Sequence, residues 1–144
     1  MKPDFEINVD MLKRVVYLRM RGVFDELTMR EWCRLYRSRG TDRFKGKNHM
    51  VVADMRGMKT LHPSIAALMG EEIGYARRNG VVLCAHVSDD TVQRLQAARI
   101  ARQNSPGDDI TIDVDSPEEA ERVVASYGRF IDDPRYEHSL RSAL

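Results

Sequence analysis

The segment from His49 to Val87 reads HMVVADMRGMKTLHPSIAALMGEEIGYARRNGVVLCAHV and contains the pattern that decides the fold. His49–Asp54 and Val81–Val87 are nearly continuous apolar runs, which is typical of strands covered on both faces. Pro63 suits the first position of a helix between them, because its missing N–H costs nothing there. Asn79-Gly80 ends this helix with a left-handed cap. The segment therefore predicts a β-α-β unit with two parallel strands.

The helix in this unit has an apolar face that points to the core. Its apolar residues recur at helical spacing and form one stripe, namely Ile65, Leu68, Met69, Ile73 and Ala76. Glu71, Arg77 and Arg78 lie off this stripe, so we expect the helix to be half-buried.

Two strands and a helix are predicted before this unit. Phe5–Val9 and Val15–Met20 are short runs with a brief connection, which favours a hairpin. A helix is expected from Thr28 to about Ser38, because Thr28-Met29-Arg30-Glu31 has the capping-box pattern. Leu27 precedes it and is expected to pack against Trp32 as a hydrophobic staple.

A helix, a strand and a final helix are predicted after the unit. Ser88-Asp89-Asp90 offers N-caps for a helix that ends near Arg102 and passes through Val92, Leu95 and Ala98. Ile110–Val114 alternates as a half-exposed strand. Ser116-Pro117-Glu118-Glu119 is a second capping box, and the helix after it carries Ala120, Val123, Val124 and Tyr127.

These elements follow the order β-β-α-β-α-β-α-β-α, which predicts an α/β fold with a mixed sheet of about five strands and about four helices. A chain of 144 residues fits one domain. We expect this domain to span residues 1–130, followed by a polar tail over 131–144.

Composition narrows the class of protein. Hydrophobic residues make up 42% of the chain, and no stretch approaches the roughly 18 apolar residues that span a bilayer. The net charge of +1 gives no general attraction to nucleic acid. Cys33 and Cys84 are too few for a disulfide framework, which favours the cytoplasm. The basic stretch Arg34–Lys47 fits a solvated helix end or, alternatively, a surface for an acidic partner.

Residues for catalysis or metal binding are hard to find in this sequence. The four histidines are scattered and have no carboxylate or Cys at metal-ligand spacing, namely His49, His62, His86 and His138. His86 lies inside a strand, where a hydrogen-bonded core histidine is the usual outcome. No phosphate-binding loop, dinucleotide fingerprint or nucleophile elbow is present. We therefore expect no enzyme, no metal and no cofactor.

Four segments in this order resemble the STAS domain of bacterial anti-sigma-factor antagonists, the SpoIIAA-like fold. They cover most of the chain between Phe5 and Val124: Arg21-Gly22-Val23-Phe24-Asp25, Val51–Met58, Leu68–Gly80 and Ile110–Ala120. The first is similar to the family's turn after the second strand, and the second to its apolar strand that ends in Asp. The last is similar to its final strand and Ser-initiated helix.

The resemblance departs from the family at its regulatory position. Such antagonists carry Asp-Ser-[Ser/Thr]-Gly at the start of this helix, and the first Ser is phosphorylated by the anti-sigma kinase. Here the corresponding residues are His62-Pro63-Ser64-Ile65, so Pro63 occupies the acceptor position and cannot take a phosphate. Ser64 is the neighbouring hydroxyl and the remaining candidate phosphosite, at a helix start where a phosphate is favoured.

The resemblance implies a regulatory module that binds an anti-sigma-factor or kinase-like protein. The expected partner-binding residues lie in loops at one end of the sheet: Asp25, Arg56, Lys59, His62 and Ser64. The turn from Arg56 to Lys59 is expected to be exposed and close to Asp25, because loops after parallel strands converge. The alternative is a STAS-like domain that binds a small apolar or lipid ligand, or that forms a homodimer.

Overall fold

A computed structural model describes residues 2–104 and 110–133, which form five strands and four α-helices. The strands are β1 (Asp4–Asp10), β2 (Val15–Arg21), β3 (His49–Asp54), β4 (Val81–Val87) and β5 (Thr111–Val114). The helices are α1 (Glu26–Arg39), α2 (Pro63–Arg78), α3 (Thr91–Asn104) and α4 (Pro117–Gly128). A short 3-10 helix, Thr41–Phe44, follows α1. The α/β class and the mixed five-strand sheet are therefore confirmed.

The strands lie in the sheet in the order in which they occur in the chain, β1-β2-β3-β4-β5. β1 pairs antiparallel with β2, and every later neighbour pairs parallel. Parallel crossovers share one hand, so helices that connect successive strands in one direction lie on the same face. In agreement, α1, α2 and α3 pack against one face of the sheet, and α4 packs against the other.

The two faces carry separate cores because strand side chains alternate. In β3, Val51 and Ala53 face the three-helix side, whereas Met50 and Val52 face α4. The core on the three-helix side is centred on Trp32, Met29 and Met69, all 0–2% exposed. Burial on both sides explains the continuous apolar runs of β3 and β4.

The start of α1 differs from the sequence prediction. Asp25, not Thr28, is the N-cap, and its carboxylate accepts a hydrogen bond from the Thr28 backbone N–H at 2.8 Å. The predicted staple is also wrong, because Leu27 is 81% exposed while Trp32 is fully buried. The sequence offers two overlapping N-cap patterns, one starting at Asp25 and one at Thr28, and the helix begins with the first.

The other helix starts agree with the predictions. α2 begins at Pro63 and α4 at Pro117, and Ser116 Oγ accepts from the Glu119 N–H at 3.1 Å. The residue before α2, His62, acts as its N-cap. The predicted break at Asn104–Gly107 falls mostly outside the described residues.

The first residues of the predicted polar tail contact the domain. Asn48 donates a hydrogen bond to the carbonyl of Ile131 at 3.0 Å, and Arg14 pairs with Asp132. Residues 134–144 lie outside the described part of the chain, so the tail beyond this point stays a prediction.

Candidate functional site

The loops that follow β2, β3 and β4 meet at the carboxyl edge of the parallel strands. Gly57 lies at their centre: its carbonyl accepts from the Gly22 N–H at 3.0 Å, and its N–H donates to Asp89 Oδ1 at 3.2 Å. Lys59 N–H returns a bond to the Gly22 carbonyl at 3.0 Å. Gly57 has φ +78°, a backbone conformation that favours glycine. The three loops therefore form one connected surface.

Asp25 lies at this edge, three residues after Gly22, and it is exposed. Its hydrogen bonds from the backbone and side chain of Thr28 hold its pKa below the ordinary range. The bonds between Gly22 and the turn after β3 show that the loop leading to Asp25 meets that turn. Because its carboxylate already caps α1, Asp25 offers a partner a charge in a fixed position.

Arg56 is less free than the sequence indicates. Its guanidinium donates two hydrogen bonds to Asp54, at 2.9 and 2.8 Å, and its backbone N–H donates a third at 3.2 Å. Burial raises the pKa of Asp54, but the bonds from Arg56 outweigh it and hold that pKa below its usual value. The expected exposure of the whole turn is also partly wrong, because Met58 is 2% exposed.

Lys59, His62 and Ser64 are all exposed, as predicted. His62 Nδ1 lies 2.9 Å from Ser64 Oγ and accepts a hydrogen bond from the Ser64 N–H at 3.2 Å. The imidazole thus satisfies a free N–H of the first turn, which is the role of an N-cap. Because Arg56 is paired with Asp54, Lys59 is the more exposed of the two cations among the predicted partner-binding residues.

Exposed apolar side chains are also present at this edge, and the sequence patterns did not assign them to a site. Six large apolar residues of the described ranges are exposed, and four of them follow β2 or β4: Val23, Leu27, Val92 and Leu95. Met11 and Leu12 lie in the hairpin turn at the opposite edge. Leu27 and Leu95 lie within the first two turns of helices that begin at the carboxyl edge. Four exposed apolar residues at one edge are more informative than single exposed leucines.

The carboxyl-edge surface is defined here by these apolar residues and the predicted polar ones. It consists of Val23, Asp25, Leu27, Arg56, Lys59, His62, Ser64, Val92 and Leu95.

The histidines have separate roles and lie apart. His49 is buried and stacks on Phe44 with ring centroids 4.2 Å apart. His86 is 4% exposed, and its Nδ1 lies 3.1 Å from Asp113 Oδ1, as expected for a hydrogen-bonded core residue. His138 lies outside the described residues. Within residues 2–104 and 110–133, no three His, Cys, Asp or Glu side chains are placed to hold a metal ion.

Comparisons with protein families, with curated proteins and with solved structures found no match to this chain. No helix in the described ranges is long and apolar enough to cross a membrane.

Proposed function

We propose that this chain is a cytoplasmic, non-enzymatic regulatory module of the anti-sigma-factor-antagonist type, which binds a protein partner through the carboxyl-edge surface. The observation that carries the proposal is the exposure of Val23, Leu27, Val92 and Leu95 at the same edge as the polar residues expected from the STAS resemblance. Protein-binding surfaces combine apolar anchors with a polar rim in this way.

The loops behind this surface support the proposal because they are fixed before binding. Gly57 joins the loops after β2 and β4 through hydrogen bonds of 3.0 and 3.2 Å. A surface that is already ordered loses less conformational entropy when a partner binds. The partner class that the resemblance implies is an anti-sigma-factor or kinase-like protein.

Leu27 and Lys59 are expected to contribute differently. Leu27 is 81% exposed in the first turn of α1 and is the largest apolar projection of the surface. A buried interface leucine typically acts through the dissociation rate, whereas a rim charge acts mainly through the association rate and its salt dependence. Arg56 is unsuitable for charge reversal, because Arg56→Glu would place a second carboxylate beside Asp54.

The experiment is affinity capture from lysate, followed by kinetic measurement with the purified partner. Leu27→Glu is expected to weaken binding at least about ten-fold, the range of an interface hot spot. Lys59→Glu is expected to slow association several-fold at low salt and to have little effect at high salt.

Leu12→Glu is the matched control, because Leu12 is 97% exposed at the opposite edge. It should bind as the parent protein does, and all three variants should keep the parent's melting temperature. Equal binding by Leu27→Glu and Leu12→Glu would contradict the proposal.

A further inference from the structure

A cavity lies between the sheet and helices α2 and α3, in two adjoining lobes of about 50 Å³ each. The lobes share walls that are mostly apolar: Ala53, Met55, Met69, Ile73, Arg77 and Cys84. One lobe extends to Trp32 and Tyr36, deep beneath α1. The other extends to His86 and to Asp113, whose side chain is 46% exposed. The cavity therefore runs from the protein surface into the core.

Three alanines of α3 leave part of the space beneath the helix unfilled, beside the buried Ile100. Ala97, Ala98 and Ala101 line the outer lobe, whereas the larger Val92 and Leu95 face solvent. An amphipathic helix ordinarily places its larger apolar residues inward. On α3 only Ile100 follows this rule, and the alanines around it leave space that a leucine would fill.

Contacts at two positions hold α3 over this space. Gln96 exchanges two hydrogen bonds with the backbone of Leu61, at 2.7 and 2.8 Å. At the other end, Asn104 lies against Gly70 and Gly74, where no Cβ intervenes. Helix α3 is therefore held in place on both sides of the three alanines that line the cavity.

Two buried polar groups, His86 in the cavity wall and Gln93 beside Met55, have poor hydrogen-bond partners. The Asp113 carboxylate accepts hydrogen bonds, so His86 Nδ1 carries the proton and Nε2 presents a lone pair in the neutral ring. Nε2 faces Met55 Sδ at 3.3 Å, and a thioether has no proton to donate. The Gln93 amide nitrogen lies 3.4 Å from the same sulfur, which is only a weak acceptor.

Burial favours the neutral form of the His86 ring. Burial lowers the pKa of His86, and the hydrogen bond and charge of Asp113 offset that effect only in part. In this neutral form, Nε2 has a lone pair that can accept a hydrogen bond.

A third polar group lies in the inner lobe. The indole nitrogen of Trp32 is fully buried and has no hydrogen-bond partner among the described residues. Buried donors are ordinarily satisfied by protein, water or ligand. An acceptor for this N–H can be supplied by an occupant of the lobe that Trp32 lines.

We propose that this cavity binds a small apolar molecule that carries a hydroxyl group. A ligand hydroxyl can donate to His86 Nε2, which lines the outer lobe, when the Met55 thioether moves aside. The apolar body of the ligand would lie along Met69 and Ile73. Methionine side chains adapt their shape readily, which suits walls that must open around a ring.

Phenol and toluene are matched probes, because they differ mainly by the hydroxyl. Trp32 is the single tryptophan, so its indole N–H gives one assignable NMR resonance. Phenol is expected to shift this resonance saturably and to bind roughly three- to ten-fold more tightly than toluene, the worth of one net hydrogen bond. No saturable shift, or equal affinity for the two probes, would overturn the proposal and leave water as the occupant.

Variants test the location and the polar contact separately. Ala97→Leu fills the outer lobe and should abolish phenol binding, while Ala125→Leu, on the exposed side of α4, should keep it. His86→Leu should remove the preference for phenol over toluene. Circular dichroism verifies the fold, and Ala98→Leu replaces Ala97→Leu if that variant does not fold. Unchanged binding in the filled variant, or an unchanged preference in His86→Leu, would overturn the proposal.

Discussion

Single residues at the start of α2 determine whether the regulatory chemistry of the resembling family can operate here. Pro63 occupies the first helical position, and Ser64 Oγ lies 2.9 Å from His62 Nδ1. A hydroxyl that donates to a histidine is already engaged within its own turn. Under the proposed function, we therefore expect the surface to present one constant set of contacts instead of a phosphorylated and an unphosphorylated form.

We predict that an anti-sigma kinase with ATP leaves Ser64 unmodified or modifies it only weakly. Proline at the acceptor position has no hydroxyl to phosphorylate, and Ser64 is displaced by one residue along the helix. Intact-mass measurement reads the result directly. Stoichiometric phosphate that disappears in Ser64→Ala would contradict this prediction and restore a switch.

His49 and His86 should make stability depend on pH. Burial lowers the pKa of both side chains in the folded protein. Below the ordinary histidine pKa of about 6.5, the unfolded chain therefore binds protons that the folded protein does not. Stability is fully present above about pH 6.5 and falls as the pH drops through the lower folded values. Each histidine contributes a slope of at most about 1.4 kcal/mol per pH unit.

Denaturant melts between pH 7 and 5 measure this slope. His49→Gln and His86→Gln should each reduce it, and the double variant should reduce it most. The loss of stability at lower pH, where carboxylates such as Asp54 become protonated, should remain in every variant. A slope unchanged by both substitutions would show that these rings do not titrate as inferred.

At the scale of elements, the inward face of α2 is narrower than its apolar residues indicate. Met69 is 2% exposed, whereas Leu68 is only partly buried at the edge of the same core. Met69→Ala should cost about 2–5 kcal/mol, as full burial implies. Leu68→Ala should cost about half as much or less. Denaturant melts that rank the two variants in the opposite order would mean that α2 is rotated from this position.

The close approach of α2 and α3 depends on Gly70. A Cβ at Gly70 would lie 2.1 Å from Asn104 Nδ2, so this side chain would have to move and lose its bond to the Ile100 carbonyl. We predict that Gly70→Ala destabilises the protein by about 1–3 kcal/mol, in the range of overpacking.

Removing the clash should reverse this effect. In an Asn104→Ala background, Gly70→Ala should be neutral or stabilising by about 0.5–1 kcal/mol, because alanine favours the helix. A double-mutant cycle measures the coupling. Additive effects of the two substitutions would show that Gly70 and Asn104 do not meet.

The sequence predicts the bounds of strands and helices well where a single pattern indicates them. The bounds of β3 and β4 and the start of α2 follow from continuous apolar runs and from Pro63. The start of α1 was mispredicted because Thr28-x-x-Glu31 and Asp25-x-x-Thr28 are both plausible caps. Sequence alone does not choose between them, since the choice depends on how the helix packs.

The sites are less predictable because they depend on register and on helix rotation. Asp113 lies beside His86 only because β4 and β5 pair in parallel with those two residues opposite each other. The cavity depends on which face of α3 turns inward. The pattern placed Leu95 on the apolar stripe of α3, but Leu95 is 59% exposed. The meeting of the loops at the carboxyl edge was predictable because loops after parallel strands converge, whereas the choice of polar residues there came from the STAS resemblance and stays a prediction.

At the scale of the whole molecule, the two faces of the sheet are covered unequally. Three helices cover one face, and α4 alone packs on β3, β4 and β5 of the other. The part of that face over β1 and β2 carries polar side chains, including Glu6, Asn8 and Arg19. This region needs no cover, since a sheet with one polar face is stable in water.

A chain that ends before residue 117 should therefore lose its native fold. It would expose Met50, Leu83, Ala85 and Val87, each at most 1% exposed in the intact protein. We expect such a truncation to bind a hydrophobic dye and to self-associate in sedimentation experiments. A monomeric, cooperatively folded truncation would contradict the prediction.

The strand order has a consequence for synthesis on the ribosome. Each new strand adds beside the one just made, so the sheet and its three-helix layer can grow in the order in which the chain emerges. The helix that closes the second face is made last, from residue 117 onward. Until it appears, the nascent domain presents a bare apolar sheet to its surroundings, and this interval is when a chaperone would be needed most.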